Sequence, residues 1–279
     1  MAENFFALPE EELFARAREI NGRKKPVGAG PSIAEERCHT SPPCPHCKWE
    51  FFKAKGIQQG RAHTLEETLE NAKALEAMGA DRTFVATGWL GYEVPREVMA
   101  HVENIRNNTS LDVYALIGAV SKNSLAELKA AGLTGYLCGI ESPSERVYRT
   151  FRPGGDSLED RRRALRDARD LGLKLWSGFL IGFGETDEEI AAGIAEMGEL
   201  QPESVSILPF IPVPFTPMRV SNPANPWIWA KAAAAGTLAC PGSDIFSDQG
   251  QGMYAAYGEL FAPNGAYVFP FRRPPVPAG

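Results

Sequence analysis

From residue 64 to residue 211 the chain alternates, unit after unit, between a short apolar run and a helical stretch. This alternation restricts the fold more than any other feature. An apolar run buried on both faces belongs in a parallel sheet whose connections are helices. Helix starts are marked chemically: Thr64 with Glu67 makes a T-x-x-E capping box, and Thr186 with Glu189 makes a second. The first box opens a helix that runs to about residue 78 and stops at Gly79. Strands are expected at 82–88, 111–118, 135–142, 173–183 and 204–211, with helices at 95–107, 123–131, 157–171 and 186–199. Counting a poorly marked first strand before Cys38, about six βα units are visible. A TIM-type barrel and a doubly wound open sheet both accommodate them, and both place functional residues at the C-terminal ends of strands.

The flanks are less regular. Residues 9–21 read as an amphipathic helix starting on proline and glutamates, within an N-terminal extension over 1–24. The core is expected over 25–220. Beyond it, 221–279 holds an alanine run (232–235), scattered Gly and Pro, and a tail at 271–279 whose composition favours disorder. The segment is expected to be irregular and the barrel partial.

Composition narrows the partners. A net charge of −6 argues against nucleic acid or an anionic membrane as the main partner. No apolar run reaches the roughly 20 residues needed to span a bilayer, and the first residues lack a secretory pattern. Five cysteines without disulfide-framework spacing suit a reducing compartment, so a cytoplasmic location is expected.

Three of those cysteines, Cys38, Cys44 and Cys47, form C-x5-C-x2-C in a loop with prolines at 42, 43 and 45. Thiolates gathered on such a loop are suited to holding metal. His39 and His46 lie in the same window, so a structural Cys3His zinc site is chemically available. The other reading is a four-iron four-sulfur cluster, [4Fe-4S], with three cysteine ligands and one iron open.

The second reading has support along the chain. The loop resembles that of the radical S-adenosylmethionine (SAM) enzymes, whose usual spacing is C-x3-C-x2-C, and the resemblance runs from about residue 25 to 220. Thr87-Gly88-Trp89 falls where that family receives the methionine amino group, although a plain strand-to-loop glycine also fits. Gly139-Ile140-Glu141-Ser142 resembles a strand end whose acidic side chain meets the ribose; a solvated strand end is the alternative. Arg161 matches an arginine that pairs with the methionine carboxylate, for which guanidinium geometry is suited. Arg162, Arg163, Arg166 and Arg169 are more simply a solvated helix face. Gly178, Ile181 and Gly182, in a G-x-x-I-G-x-G-E turn, resemble the segment that cradles adenine, or a tight turn before a capped helix. His46 holds a position that packs near the adenine. The resemblance implies a TIM-type barrel, a [4Fe-4S] cluster, SAM, a 5′-deoxyadenosyl radical that takes hydrogen from a small-molecule substrate, and a reducing partner such as ferredoxin or flavodoxin.

Within the family the sequence is similar to the group of biotin synthase, HydE and methylornithine synthase (PylB). The C-x5-C-x2-C spacing is that of the HmdB (HcgA) subgroup, associated with the iron–guanylylpyridinol cofactor of [Fe]-hydrogenase. Biotin synthase holds a second cluster with three further cysteines, and those places fall here on Phe84, Tyr114 and Trp176. Sulfur insertion is therefore not expected. The three aromatics either line a substrate cavity or pack the barrel core. A methylornithine-type rearrangement and a zinc-stabilised protein without redox activity remain the rival functions.

Overall fold

The computed structural model describes residues 4–47, 61–247 and 253–269. Eight parallel strands pair in chain order: Val27–Ile33 (β1), Arg82–Ala86 (β2), Asp112–Leu116 (β3), Gly135–Leu137 (β4), Lys174–Ile181 (β5), Ser204–Pro209 (β6), Asp244–Phe246 (β7) and Gly265–Tyr267 (β8). Val27 of β1 pairs with Gly265 of β8, which closes the barrel and excludes the open sheet. The expected partial barrel of about six units is thus corrected to a complete one of eight strands. The two strands missed at the sequence level have three residues each, too few to show a period.

Helices in the described residues run Glu10–Gly22 (α1), Leu65–Ala77 (α2), Arg96–Asn108 (α3), Lys122–Ala130 (α4), Glu145–Phe151 (α5), Leu158–Asp170 (α6), Asp187–Leu200 (α7), Pro226–Ala239 (α8) and Met253–Gly258 (α9). Both expected capping boxes form, at Thr64/Glu67 and Thr186/Glu189, and a third appears at Ser157/Asp160. The segment from 221, expected to be irregular, contains α8. Asn225 caps it by accepting from the Trp227 and Ile228 amides, and Pro226 stands at its first turn. Its alanines are buried because the helix packs between α1, α7 and β6, where only small side chains let backbones approach so closely. The tail at 271–279 lies outside the described residues.

The strands' alternation divides the core in two. Val85 and Val113 face outward and join the helices, with Val98, Val102 and Ile105 of α3 in the same cluster. Phe84, Tyr114, Trp176 and Phe246 face inward and fill the lumen. Phe84 stands opposite Tyr114 in register, and Tyr114 stands opposite Gly135, where an added Cβ would come within 2.2 Å of the Tyr114 ring. Burying each such ring contributes about 2–3 kcal/mol. Because the lower lumen is packed, a ligand entering the barrel must do so at the mouth formed by the strands' C-terminal ends. Among the described residues no helix is long and apolar enough to cross a membrane.

Candidate active site

The cysteine loop leaves β1 at this mouth, and its backbone is held from several sides. The His39 amide donates to Trp89 O (2.7 Å), and the His39 ring pairs with Leu90 O through Nδ1 (3.0 Å). The Met218 amide donates to Pro45 O at 3.3 Å, and the Cys47 amide donates to Cys44 O at 3.1 Å. Gly88, just past β2, is pressed so close that a Cβ would stand 2.4 Å from Arg37 O and 2.5 Å from Cys38 Cβ. Both near atoms belong to the loop's main body, so they have no flexible side chain to withdraw. Gly88→Ala is expected to displace the loop, costing about 1–3 kcal/mol; a thermal melt checks this.

Cys44 is buried, whereas Cys38 and Cys47 are half-buried. Burial pushes the Cys44 thiol up to about 11, with Arg152 drawing it back down. Cys38 Sγ lies 3.1 Å from Thr40 Oγ1. Among the described residues no three His, Cys, Asp or Glu side chains converge as a ready-made metal site. The donor chemistry nevertheless suits a cluster with one open iron: three thiols share a loop of ten residues. Of the two nearby histidines, one is engaged elsewhere, and the other is buried with its Nδ1 unpaired. His39 meets Leu90 O, and His46 stands edge-on to Phe151 and Phe183 at 5.1 and 5.4 Å.

Behind the loop lies a balanced cluster of four charges. Arg161, on α6, donates through Nη1 to Gly139 O (2.6 Å) and to Glu141 Oε1 (2.7 Å). Its Nε stands 2.9 Å from Asp156 Oδ2. Asp156 also accepts from the Ala119 amide (2.8 Å) and from Arg152 Nη2 (2.5 Å), while Arg152 Nη1 stands 4.0 Å from Glu141. Burial opposes the charge on Arg161, but Asp156 and then Glu141 more than offset it and raise its pKa above the ordinary guanidinium value. Burial likewise opposes the Asp156 carboxylate, yet Arg161 and Arg152 hold its pKa below the usual range. Glu141 stands at the mouth because the chain beyond β4 stays paired with β5, the Ile140 amide donating to Gly178 O and the Leu180 amide to Glu141 O at 2.8 Å each, and then takes a left-handed turn at Glu141, with φ +61°.

In the sequence Glu141 and Arg161 are separate candidate contacts; the fold joins them as an ion pair. Arg152 and Asp156 do not stand out in the sequence. Their signal is local: Arg152-Pro-Gly-Gly-Asp156 sets two opposite charges in a turn leading into a capped helix. Ser142 is fully buried, and its hydroxyl is used within its own turn, donating to Ser144 O and accepting from the Ser144 amide. Thr87 is buried and donates to Gly88 O. The Trp89 indole donates to Ala119 O at 3.0 Å, tying the ends of β2 and β3 together.

The remaining residues form the facing wall. Phe151 and Phe183 stack at 4.1 Å beneath His46, whose pKa is lowered by burial. The amides of Gly182 and Phe183 both donate to Glu185 Oε2 at 3.0 Å, which shapes the turn after buried Ile181. Gly178 has φ +152°, and a Cβ there would sit 1.8 Å from Ser206 O. Only glycine permits β5 and β6 to approach like this.

Between these walls a cavity of about 180 Å³ opens into the lumen, with Phe84, Trp176 and Tyr267 at its base and Glu141 and Gly178 among its lining. A neighbouring cavity of about 240 Å³ shares Leu180 and Leu208 with it and includes His46. Of the three aromatics from the sequence reading, Phe84 and Trp176 line the first cavity, whereas Tyr114 packs against Trp176 at 5.8 Å and lines neither cavity.

Solved structures show the same fold. Methylornithine synthase (PylB) superposes with a TM-score of 0.80 at 20% identity, covering 94% of this chain and 80% of that one. The [FeFe]-hydrogenase maturase HydG from Carboxydothermus hydrogenoformans gives 0.78 at 19% identity, covering 95% and 65%. By sequence, the chain is 26% identical over 259 residues to biotin synthase of Neorickettsia sennetsu, covering 88% of this chain and 76% of that protein. It is 29% identical over 213 residues to an uncharacterized protein of Methanocaldococcus jannaschii, covering 75% and 56%. The family model described as the radical SAM superfamily matches residues 36–195, more than half the chain and the whole stretch from the cysteine loop through the β5 turn, and the chain therefore belongs to the radical SAM superfamily of enzymes.

Proposed function

We propose that this enzyme binds a [4Fe-4S] cluster through Cys38, Cys44 and Cys47 and reductively cleaves SAM to take hydrogen from a small-molecule substrate. The observation that carries the reading is the gathering of the cysteine loop, the Glu141/Arg161 pair and the Gly178–Gly182 wall at one barrel mouth. When bound, the cluster and SAM supply one-electron cleavage to a 5′-deoxyadenosyl radical. The chain's own part is placement. Cys44, buried against the barrel, fixes one corner of the cluster, and the braced backbone of residues 38–47 sets the other two. Glu141 offers its carboxylate to a ribose diol, held in place by Arg161 at 2.7 Å. Arg161, its guanidinium spent on Gly139 O, Glu141 and Asp156, acts by holding the Glu141 carboxylate, and the Thr87–Trp89 turn offers backbone to the amino group. The Gly182 turn and His46 border the adenine, and the apolar lumen excludes water from the radical.

The C-x5-C-x2-C spacing supports an HmdB-like role in building the pyridinol of the [Fe]-hydrogenase cofactor, with a ferredoxin or flavodoxin as electron donor. The buried aromatics Phe84, Tyr114 and Trp176, in place of second-cluster cysteines, speak against sulfur insertion. Anaerobic reconstitution with iron and sulfide is expected to give about four irons per chain and reductant-dependent 5′-deoxyadenosine. One tightly bound zinc with no SAM cleavage would overturn the proposal. The finer role is tested by complementation of a strain lacking the corresponding maturation step; an unrestored cofactor would refute it.

A further inference from the structure

The lumen cavity carries information about what it admits. Its body is apolar, made by Phe84, Leu116, Leu137, Trp176 and Leu208. The polar groups at its base are neutral hydroxyls: Ser206 Oγ accepts from the Trp176 indole at 2.7 Å and pairs with the Tyr267 hydroxyl at 2.9 Å. Glu141 is the one charged side chain among the described residues that line it, and Arg161 already neutralises it at 2.7 Å. Asp156 and Arg152 complete that cluster as two negative and two positive groups, so it presents no net charge to the cavity. An ammonium or carboxylate entering here would lose its hydration without gaining a counter-charge.

Size is the second constraint. An apolar protein cavity of about 150 Å³ takes a benzene ring, so 180 Å³ admits one ring with a short substituent. From lining and size together we infer that the substrate is uncharged and largely apolar, about the size of one small substituted ring, and carries a hydroxyl or carbonyl that joins the Ser206–Tyr267 pair. This deepens the proposed radical SAM function and rests on it. It sets the chain apart from enzymes acting on free amino acids, whose zwitterionic head needs charged partners.

The test uses cluster-reconstituted enzyme with SAM and no reductant, titrated calorimetrically with 4-ethylphenol, tyramine and L-tyrosine, which share a phenol ring and differ in charge. 4-Ethylphenol is expected to bind at least tenfold tighter than either charged compound. Leu208→Trp, which fills the cavity, should weaken it at least tenfold. Should that variant fail to fold by circular dichroism, Tyr267→Phe serves: 4-ethylphenol binding falls several-fold while ethylbenzene binding is kept. Tyramine or L-tyrosine binding as tightly as 4-ethylphenol would overturn the inference. So would a failure of all three to bind, or indifference of 4-ethylphenol to the folded variants. 5′-Deoxyadenosine formation on adding reductant is read separately, so an enzyme that cleaves SAM yet prefers the charged ligands fails only the inference.

Discussion

Cys44→Ala is expected to abolish iron loading and 5′-deoxyadenosine formation together, with cleavage falling by about three orders of magnitude or more. That exceeds the roughly 10–100-fold cost of changing a residue one shell beyond a metal, because the substitution removes a proposed ligand outright. Cys44 is the strongest choice of the three. It is the buried thiol of the loop, 4% exposed, so water or buffer thiols reach its place less readily than those of Cys38 or Cys47. Its high thiol pKa means that metal must displace a proton that burial holds on, so loading should improve with rising pH. Cys240→Ala is the matched control. Cys240 is equally buried, at the end of α8, and no part of the mouth involves it. That variant should lose modest stability and keep about four irons. Retained SAM cleavage in Cys44→Ala would refute the ligand assignment.

What the sequence discloses depends on whether the physics is local. The helices opened by Thr64 and Thr186 were legible because a capping box is written within four residues. The inward-facing aromatics were legible as candidates for cavity or core, and the fold divides them: Phe84 and Trp176 line the cavity while Tyr114 packs behind. Closure of the barrel was not legible, since β7 and β8 are three residues long and their partners are distant in the chain. The strand expected to run to residue 142 is regular to Leu137 and stays hydrogen-bonded to β5 as far as Glu141, where it ends in a left-handed turn favoured by the ion pair with Arg161 rather than by any local preference. Asp156 escaped notice for the same reason: it is one more acid in a turn until the fold brings two arginines to it.

Those two arginines make Asp156→Asn the most destabilising substitution expected outside the cysteine loop. Its carboxylate is fully buried and meets Arg161 at 2.9 Å and Arg152 at 2.5 Å, with the Ala119 amide at 2.8 Å. Asparagine keeps the volume and one acceptor oxygen but removes the charge, leaving two buried guanidiniums facing Glu141 alone. Breaking a buried pair in this way costs about 3–5 kcal/mol, which for a barrel of this size lowers the melting temperature by roughly 10 °C. The pH dependence has a defined sign. Because the folded carboxyl titrates below its ordinary value, its contribution is complete above about pH 4. It is lost only as pH falls through the lower folded value, so the deficit of the variant should be constant from pH 8 to pH 5. Function follows stability here, since Arg152 and Arg161 would be drawn toward Glu141 and the carboxylate proposed to hold ribose would turn inward. SAM affinity should fall at least tenfold even at temperatures where the variant is folded. A second substitution, Arg152→Gln, should recover part of the lost stability by removing one uncompensated charge, and a double-mutant cycle reads that coupling directly. If Asp156→Asn melts within 2 °C of the unaltered protein, the buried cluster does not brace the mouth as described.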